Sequence, residues 1–345
     1  MKIIKELTNY PLRRELPANY QNGDSKLFDV GEHFLIPPLK LLYFERVRIF
    51  EDGSLFENGK LIKETIRDPG MLKIYSCFEM TKRNFLYKKI SLGDGPWITV
   101  LDHWLAEYYH WFMEAVPRLI FLLENNSGAK LILSERCRGV SYIEETIKRL
   151  KVKEVNFLPR KSYADVETLM TSTYMGPSDF HREEYLRRVR ALFNNDVHQD
   201  RKVYISRGKA RYRKVVNEAD VIDLLKEFGF EIIYAEELDF KKQVELFSRT
   251  SHLITNHGAG LSNIVFMGKG ARVMEFRKSS YGFYGDSKKR ETSKFYNTYY
   301  HMCLALGLDY YYMSCDSPEP EQSCHYADIT VNVETLKDEL KNFME

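Results

Sequence analysis

Two short apolar runs that each break straight into a polar loop constrain this chain more than any other feature. Val203-Tyr204-Ile205 runs into Ser206-Arg207-Gly208-Lys209-Ala210-Arg211-Tyr212-Arg213-Lys214, and Leu253-Ile254-Thr255 runs into Asn256-His257-Gly258-Ala259-Gly260-Leu261-Ser262-Asn263. Between them the pattern predicts an amphipathic helix on Ala219, Val221, Ile222, Leu224, Leu225 and Phe228, a stop at Gly229, a strand over 230–234 and a second helix over 240–249. That is a βαβαβ unit, and a parallel sheet of this kind presents ligand-binding residues on the loops after the carboxyl ends of its strands. Arg207 and His257 should therefore converge.

Gly258-Ala259-Gly260 is predicted to open a helix over 261–266, whose free N–H groups and dipole favour an anion. Arg207, Lys209, Arg211, Arg213 and Lys214 add fixed positive charge, and charge-assisted bonds to phosphate contribute roughly 1.5–3 kcal/mol each. A diphosphate is the natural ligand of such a pair of loops. Either loop alone reads just as well as a solvated basic turn. Their position at matching ends of neighbouring strands is what favours a site.

At 345 residues the chain exceeds one comfortable core, so two domains are expected. The 14% aromatic content suits sugar stacking and core filling equally, and the net charge of +2 supplies no global field for bulk nucleic-acid binding. No stretch approaches the roughly eighteen apolar residues of a membrane span, and the first ten residues lack a signal-peptide core. The expectation is a cytoplasmic protein, with peripheral attachment at the inner face of the membrane left open. Cys77, Cys137, Cys303, Cys315 and Cys324 are odd in number and lack a C-x-x-C pair, which favours reduced thiols over a disulfide framework or a zinc corner at Cys315, Cys324 and His325.

Upstream, a strand is expected over 41–50, a small hairpin at Asp52-Gly53 and Asn58-Gly59, and a buried strand at Ile98-Thr99-Val100-Leu101. Asp102 to Leu119 then divides, at 100° per residue, into a polar stripe (His103, Glu107, His110, Glu114), an aromatic stripe (Trp104, Tyr108, Trp111) and an apolar one, with Pro117 bending or ending the helix. Each histidine alone reads as an ordinary helix-surface residue. A di-iron centre would need a second E-x-x-H pair, which the sequence lacks. Alternating strands and helices from Ala129 to Met170 predict a second α/β sheet, and the polar run 194–200 marks a boundary. The expected organisation is 1–195, 196–320 and a tail of 321–345 whose helix (333–343) packs back on the first domain. The loop Tyr281 to Tyr284 is a candidate cover for a bound nucleotide, and equally a plain surface loop.

Val203-Tyr204-Ile205-Ser206-Arg207, Arg213, Asn217-Glu218, Gly229-Phe230-Glu231, Gln243, His257-Gly258-Ala259-Gly260-Leu261-Ser262-Asn263 and Val273-Met274-Glu275-Phe276, together with His110-Trp111-Phe112-Met113-Glu114 and Pro117-Arg118-Leu119, resemble glycosyltransferase family 61. The resemblance implies an α/β fold of GT-B type, with two Rossmann-like domains facing a cleft. It implies an inverting sugar transfer, with capsule or surface polysaccharide synthesis as the setting. The donor would be a nucleotide-sugar, with uridine favoured by the resemblance alone, and the acceptor a saccharide or a lipid-linked oligosaccharide. On this reading Glu114 is the catalytic base with His110 as partner. Arg207, Arg213, Asn256, His257, Gly258, Ala259, Gly260, Asn263 and Glu275 hold the donor. Asp102, His103, Trp111 and Arg118 face the acceptor.

The chemistry is consistent on its own terms. Inversion needs a carboxylate or imidazole to take the acceptor hydroxyl proton on the face opposite the leaving nucleotide, and such a base contributes typically 10²–10⁴-fold. The chain has no Asp-x-Asp, so neither a metal nor another cofactor is expected, and the diphosphate charge would fall to Arg207, its neighbours and the helix start. It also lacks G-x-G-x-x-G, the P-loop and G-x-S-x-G, which removes dinucleotide, NTPase and serine-hydrolase readings. The surviving rivals are a catalytically inactive sugar- or nucleotide-binding module of the same fold, and an RNA-binding protein using 207–214.

Overall fold

A computed structural model describes residues 1–12, 15–21, 24, 27–28, 34–67, 69–176, 180–194, 197–278 and 297–345, which divide into two compact units, 1–12 with 34–192, and 13–33 with 193–345. The Tyr281 to Tyr284 loop lies outside the described residues.

The first unit is built on a mixed sheet. Its strands are β1 (Lys2–Leu7), β4 (Leu39–Phe50), β5 (Leu55–Glu57), β6 (Lys60–Leu61), β7 (Lys88–Lys89), β8 (Trp97–Thr99), β9 (Lys130–Ser134), β10 (Val155–Leu158) and β11 (Ser162–Ser172), with β2 (Tyr10–Pro11) and β3 (Leu35–Ile36) forming a separate small pair. The order is β10-β9-β8-β11-β4-β5-β6, with β1 added on β4 and β7 on β11. From β10 to β11 neighbours are parallel, and from β11 to β6 they are antiparallel. The unit is therefore α/β without being a plain doubly wound sheet. The cause is local: Asn58 (φ 50°) and Gly59 (φ 77°) make a tight left-handed turn and Gly53 (φ 88°) another, so 39–61 folds as a meander joined to the main sheet. At Gly53 a Cβ would stand 2.3 Å from the Leu101 carbonyl oxygen, so no larger residue fits there.

The helices of this unit are α1 (Cys77–Leu86), α2 (Tyr108–His110), α3 (Val116–Asn125), α4 (Ser141–Arg149) and α5 (Glu183–Phe193). The single helix expected from Asp102 is corrected. Residues 103–106 form turns, α2 starts only at Tyr108, Trp111–Ala115 is a π-helical turn, and α3 runs on to Asn125. Pro117 does not end the helix. It sits in the first turn of α3, where its missing N–H matters least, and the wider π turn before it absorbs the backbone mismatch.

The second unit has five parallel strands, β12 (Arg201–Ile205), β13 (Glu231–Ile233), β14 (Thr250–Asn256), β15 (Arg272–Lys278) and β16 (Asp309–Cys315), in the order β13-β12-β14-β15-β16. Numbered within the unit that order is 2-1-3-4-5, whose switch point falls between β12 and β14, the two strands that carry the polar loops. Its helices are α6 (Glu218–Glu227), α7 (Phe240–Ser248), a 3-10 helix (Ala259–Phe266), α8 (Thr298–Leu306) and α9 (Val333–Met344). Asp239 caps α7 by accepting from the Lys242 N–H, and Gly229 (φ 79°) ends α6 in the left-handed region.

Two expectations about organisation are overturned. The terminal helix α9, expected on the first domain, belongs to the core of the second unit: Leu336, Leu340 and Phe343 join Val221, Leu225, Tyr204 and Ile254 in one cluster. The 13–33 segment, expected in the first domain, belongs to the second, where Ala18 N–H donates to the Tyr310 carbonyl and Asn19 brackets Tyr312. Ala18 and Asn19 thereby satisfy backbone groups of β16 that an open sheet edge would leave to solvent.

Candidate functional site

In the first unit the π turn sets the chemistry. It brings Glu114 and His110 together: His110 Nδ1 lies 3.0 Å from Glu114 Oε2, while Arg67, in the stretch after a 3-10 turn, donates to Glu114 Oε1 at 2.7 Å and lies 2.9 Å from His110 Nδ1. The Glu114 side chain is 10% exposed and that of His110 22%. Nδ1 cannot donate to Glu114 and accept from Arg67 at once, so the tautomer of His110 decides which of the two it serves. The Arg67 guanidinium also stacks on the Trp104 ring, 5.0 Å from its centroid. A hollow of about 270 Å³ adjoins the cluster, lined by Asp52, Arg67, Asp102, His103, Trp104 and Tyr174.

Four acceptor-side residues were expected here, and the fold separates them. Asp102 is buried at the hollow, where Oδ1 accepts from the Trp104 N–H, and His103 is exposed beside it. Trp111 and Arg118 are corrected. Trp111 is fully buried with its Nε1–H donating to Thr146, and Arg118 is 2% exposed, donating to the Val100 and Ser172 carbonyls with its guanidinium over Tyr174. Both hold the unit together and cannot meet a ligand. The polar stripe is also corrected, because a π turn rotates each residue less than 100° and His103 precedes the helix.

In the second unit the loops after β12 and β14 do converge. Arg207 donates to the carbonyls of Tyr212 (3.1 Å) and Arg213 (3.3 Å) and, among the described residues, meets no carboxylate. Burial, with the neighbouring Arg213, lowers the Arg207 guanidinium to about 10, which still leaves it charged at neutral pH. Arg213 adopts φ 60°, unusual for a residue with a Cβ, and its Nε is buried without a hydrogen-bond partner among the described residues. The Asn256 Nδ2 donates to the Arg213 carbonyl, while Asn256 Oδ1 is likewise buried and unsatisfied. At Gly258 a Cβ would lie 2.4 Å from Arg207 Nη1, so any larger residue would displace that guanidinium.

Behind them His257 Nδ1 bonds Glu275 Oε1 at 2.5 Å, and the Tyr310 hydroxyl donates to Glu275 Oε2 at 2.5 Å. Burial alone would raise the Glu275 carboxyl, but the His257 bond and charge, Arg277 and Tyr310 hold it below the ordinary carboxylate value. Glu275 is 0% exposed, so its expected place as a donor ligand is corrected to one that orients His257. Asn263 is corrected as well: 1% exposed, it donates to the Gly260 carbonyl within its own turn. Ala259 and Gly260 open a 3-10 helix where an α-helix was expected.

Arg213, Asn256 and His257 line a half-open cleft of about 470 Å³ with residues that sequence reasoning missed, among them Arg277, Lys278 and Cys324. Arg277 and Lys278 end β15, buried, with the Lys278 ammonium donating to the Pro320 and Gln322 carbonyls at 2.6 Å. The 320–329 segment returns to form the far wall, where His325 is pushed down to about 4 by burial and by Arg213 and His257. Two consecutive cations directly after Glu275-Phe276 were the one available sign; the returning segment gave none.

The family model for Glycosyltransferase 61 matches residues 108–274, from α2 through the loops after β12 and β14 to β15. No curated protein matches the chain.

Proposed function

The chain belongs to glycosyltransferase family 61, and from that premise we propose that it is an inverting, metal-independent transferase. It moves a sugar from a nucleotide-diphosphate donor, a UDP-sugar on our reading, to a saccharide hydroxyl in capsule or surface polysaccharide synthesis. The observation that carries the donor half is the pair Arg207 and Arg213. Both guanidinium groups stand on the loop after β12, beside the loop after β14, without a carboxylate partner among the described residues. A partly buried cation without a counter-charge is stabilised when an anion arrives. A diphosphate supplies that anion, and His257 and Asn256 add donors beside it.

In the reaction we propose, the acceptor oxygen attacks the anomeric carbon as the bond from that carbon to the diphosphate oxygen breaks. The leaving group departs with its electron pair as nucleoside diphosphate, and the cations of the second unit take up the added charge. The hydroxyl proton passes to the Glu114–His110 pair. Glu114 is the assigned base, because releasing Arg67 from Oε1 frees an oxygen without dismantling the His110 contact. The hollow beside Asp102, His103 and Trp104 offers carboxylate and aromatic groups suited to an acceptor sugar. The GT-B arrangement and a lipid-linked acceptor belong to the same proposal.

Incubating the protein with a panel of nucleotide-sugars, and reading nucleotide diphosphate release by mass spectrometry, tests this. Release from at least one donor is expected, rising when an acceptor saccharide is supplied. Tight nucleotide binding with no release from any donor would favour the rival binding module.

A further inference from the structure

One corner of the first unit has no role in the transferase reading. Helix α1 ends in Phe85 and Leu86, which are 83% and 66% exposed. Their position is imposed from inside. Arg83, 9% exposed, is locked to Asp52 at 2.6 Å with its guanidinium 5.3 and 5.7 Å from the ring centroids of Tyr75 and Tyr87, and Met80 packs with Phe50 and Phe56. With that face fixed inward, Phe85, two residues on from Arg83, must point to solvent.

The surroundings are basic. Between Lys73 and Lys89 the sequence has Lys73, Lys82, Arg83, Lys88 and Lys89 against the single carboxylate Glu79. Lys82 and Lys89 reach Glu79 and Asp165 but stay more than half exposed, and Lys88 makes no ion pair among the described residues. Adjacent aromatic and aliphatic side chains at a helix end, ringed by lysines, match an anionic lipid surface. The apolar pair enters the headgroup boundary and the ammonium groups meet lipid phosphates. A nucleic acid would use the lysines but leave Phe85 and Leu86 in water.

We propose that the Lys82–Lys89 corner is a peripheral docking site for an anionic bilayer, with Phe85 and Leu86 as the inserted residues. No helix among the described residues is long and apolar enough to cross a membrane. The proposal stands apart from the transferase reading, since it uses none of its residues.

The test is co-sedimentation of the full chain with vesicles of phosphatidylcholine alone or with about a third phosphatidylglycerol. Partition into the anionic vesicles only is expected, and it should fall away near 1 M salt, where roughly 3 Å screening removes the lysine contribution. The double variant F85S/L86S should lose about tenfold or more in partition, since each buried side chain contributes about that factor. Its thermal unfolding and nucleotide binding should stay unchanged. K88Q/K89Q, on a short exposed strand, should weaken partition less and flatten its salt dependence. Equal partition into neutral and anionic vesicles, or undiminished binding by F85S/L86S, would overturn the proposal. So would a self-associating wild type whose assembly F85S/L86S abolishes, since a second copy would then cover the corner.

Discussion

Each unit holds one glutamate–histidine pair joined through Nδ1, and the two are built for different tasks. In the first unit Glu114 shares its oxygens between His110 and Arg67 on a π-helical turn, and its side chain keeps 10% of its surface in solvent. In the second unit Glu275 lies on a central strand between His257 and Tyr310 and keeps 1%. Both histidines are 22% exposed. The same two side chains can thus form a proton acceptor whose ion pair opens, or a sealed strut that orients an imidazole. The difference comes from backbone: a π-helical turn bordered by a hollow, against a strand covered on both faces.

The sharpest way to break this contrast is Glu114→Gln. The change keeps the shape and removes the proton acceptor, so transfer should fall by about 10²–10⁴ in kcat while nucleotide affinity by calorimetry is unaltered. Wild-type turnover in this variant would make both pairs structural. Next in size is Arg207→Ala, expected to weaken nucleotide binding about tenfold to a hundredfold, the equivalent of roughly 1.5–3 kcal/mol. Gly258→Ala should act through the same guanidinium, because its new Cβ would occupy the space of Nη1. The double variant should therefore be little worse than Arg207→Ala alone, and a fully additive loss would show that Gly258 serves the ligand directly.

How much of this could be read from the sequence divides along the same line. The alternation of strands and helices in the second unit was legible because its β-branched runs, the Gly229 stop and the helical periodicities agree at every step. Arg207, Arg213 and His257 follow from their place after strands. Arg67 was not legible, since the 62–67 stretch has no periodicity, and its pairing with Glu114 spans 47 residues. The π turn was invisible to any reading at 3.6 residues per turn, and Trp111 and Arg118, placed on the acceptor side by the resemblance, lie buried around it. Glu275, Arg277 and Lys278 share a strand that sequence alone shows as apolar then basic. Their burial depends on Tyr310 and on a wall that returns from 320–329.

The smallest expected effect addresses the strut. Glu275→Gln should weaken nucleotide binding less than Arg207→Ala does, because Glu275 reaches a ligand only through His257. Its main effect should be on stability, about 1–3 kcal/mol at neutral pH, measured by urea denaturation. The sign follows from the depressed carboxyl. Glu275 sits below its ordinary value of 4.5 in the folded protein, so its contribution is complete above that value and is lost as the pH falls through the lower folded one. The stability gap between wild type and Glu275→Gln should thus be constant from about pH 7 to 5 and close as the pH drops below about 4.5. A gap that widens in acid, or a binding loss matching that of Arg207→Ala without any loss of stability, would mean that Glu275 touches the ligand and that the two pairs are alike after all.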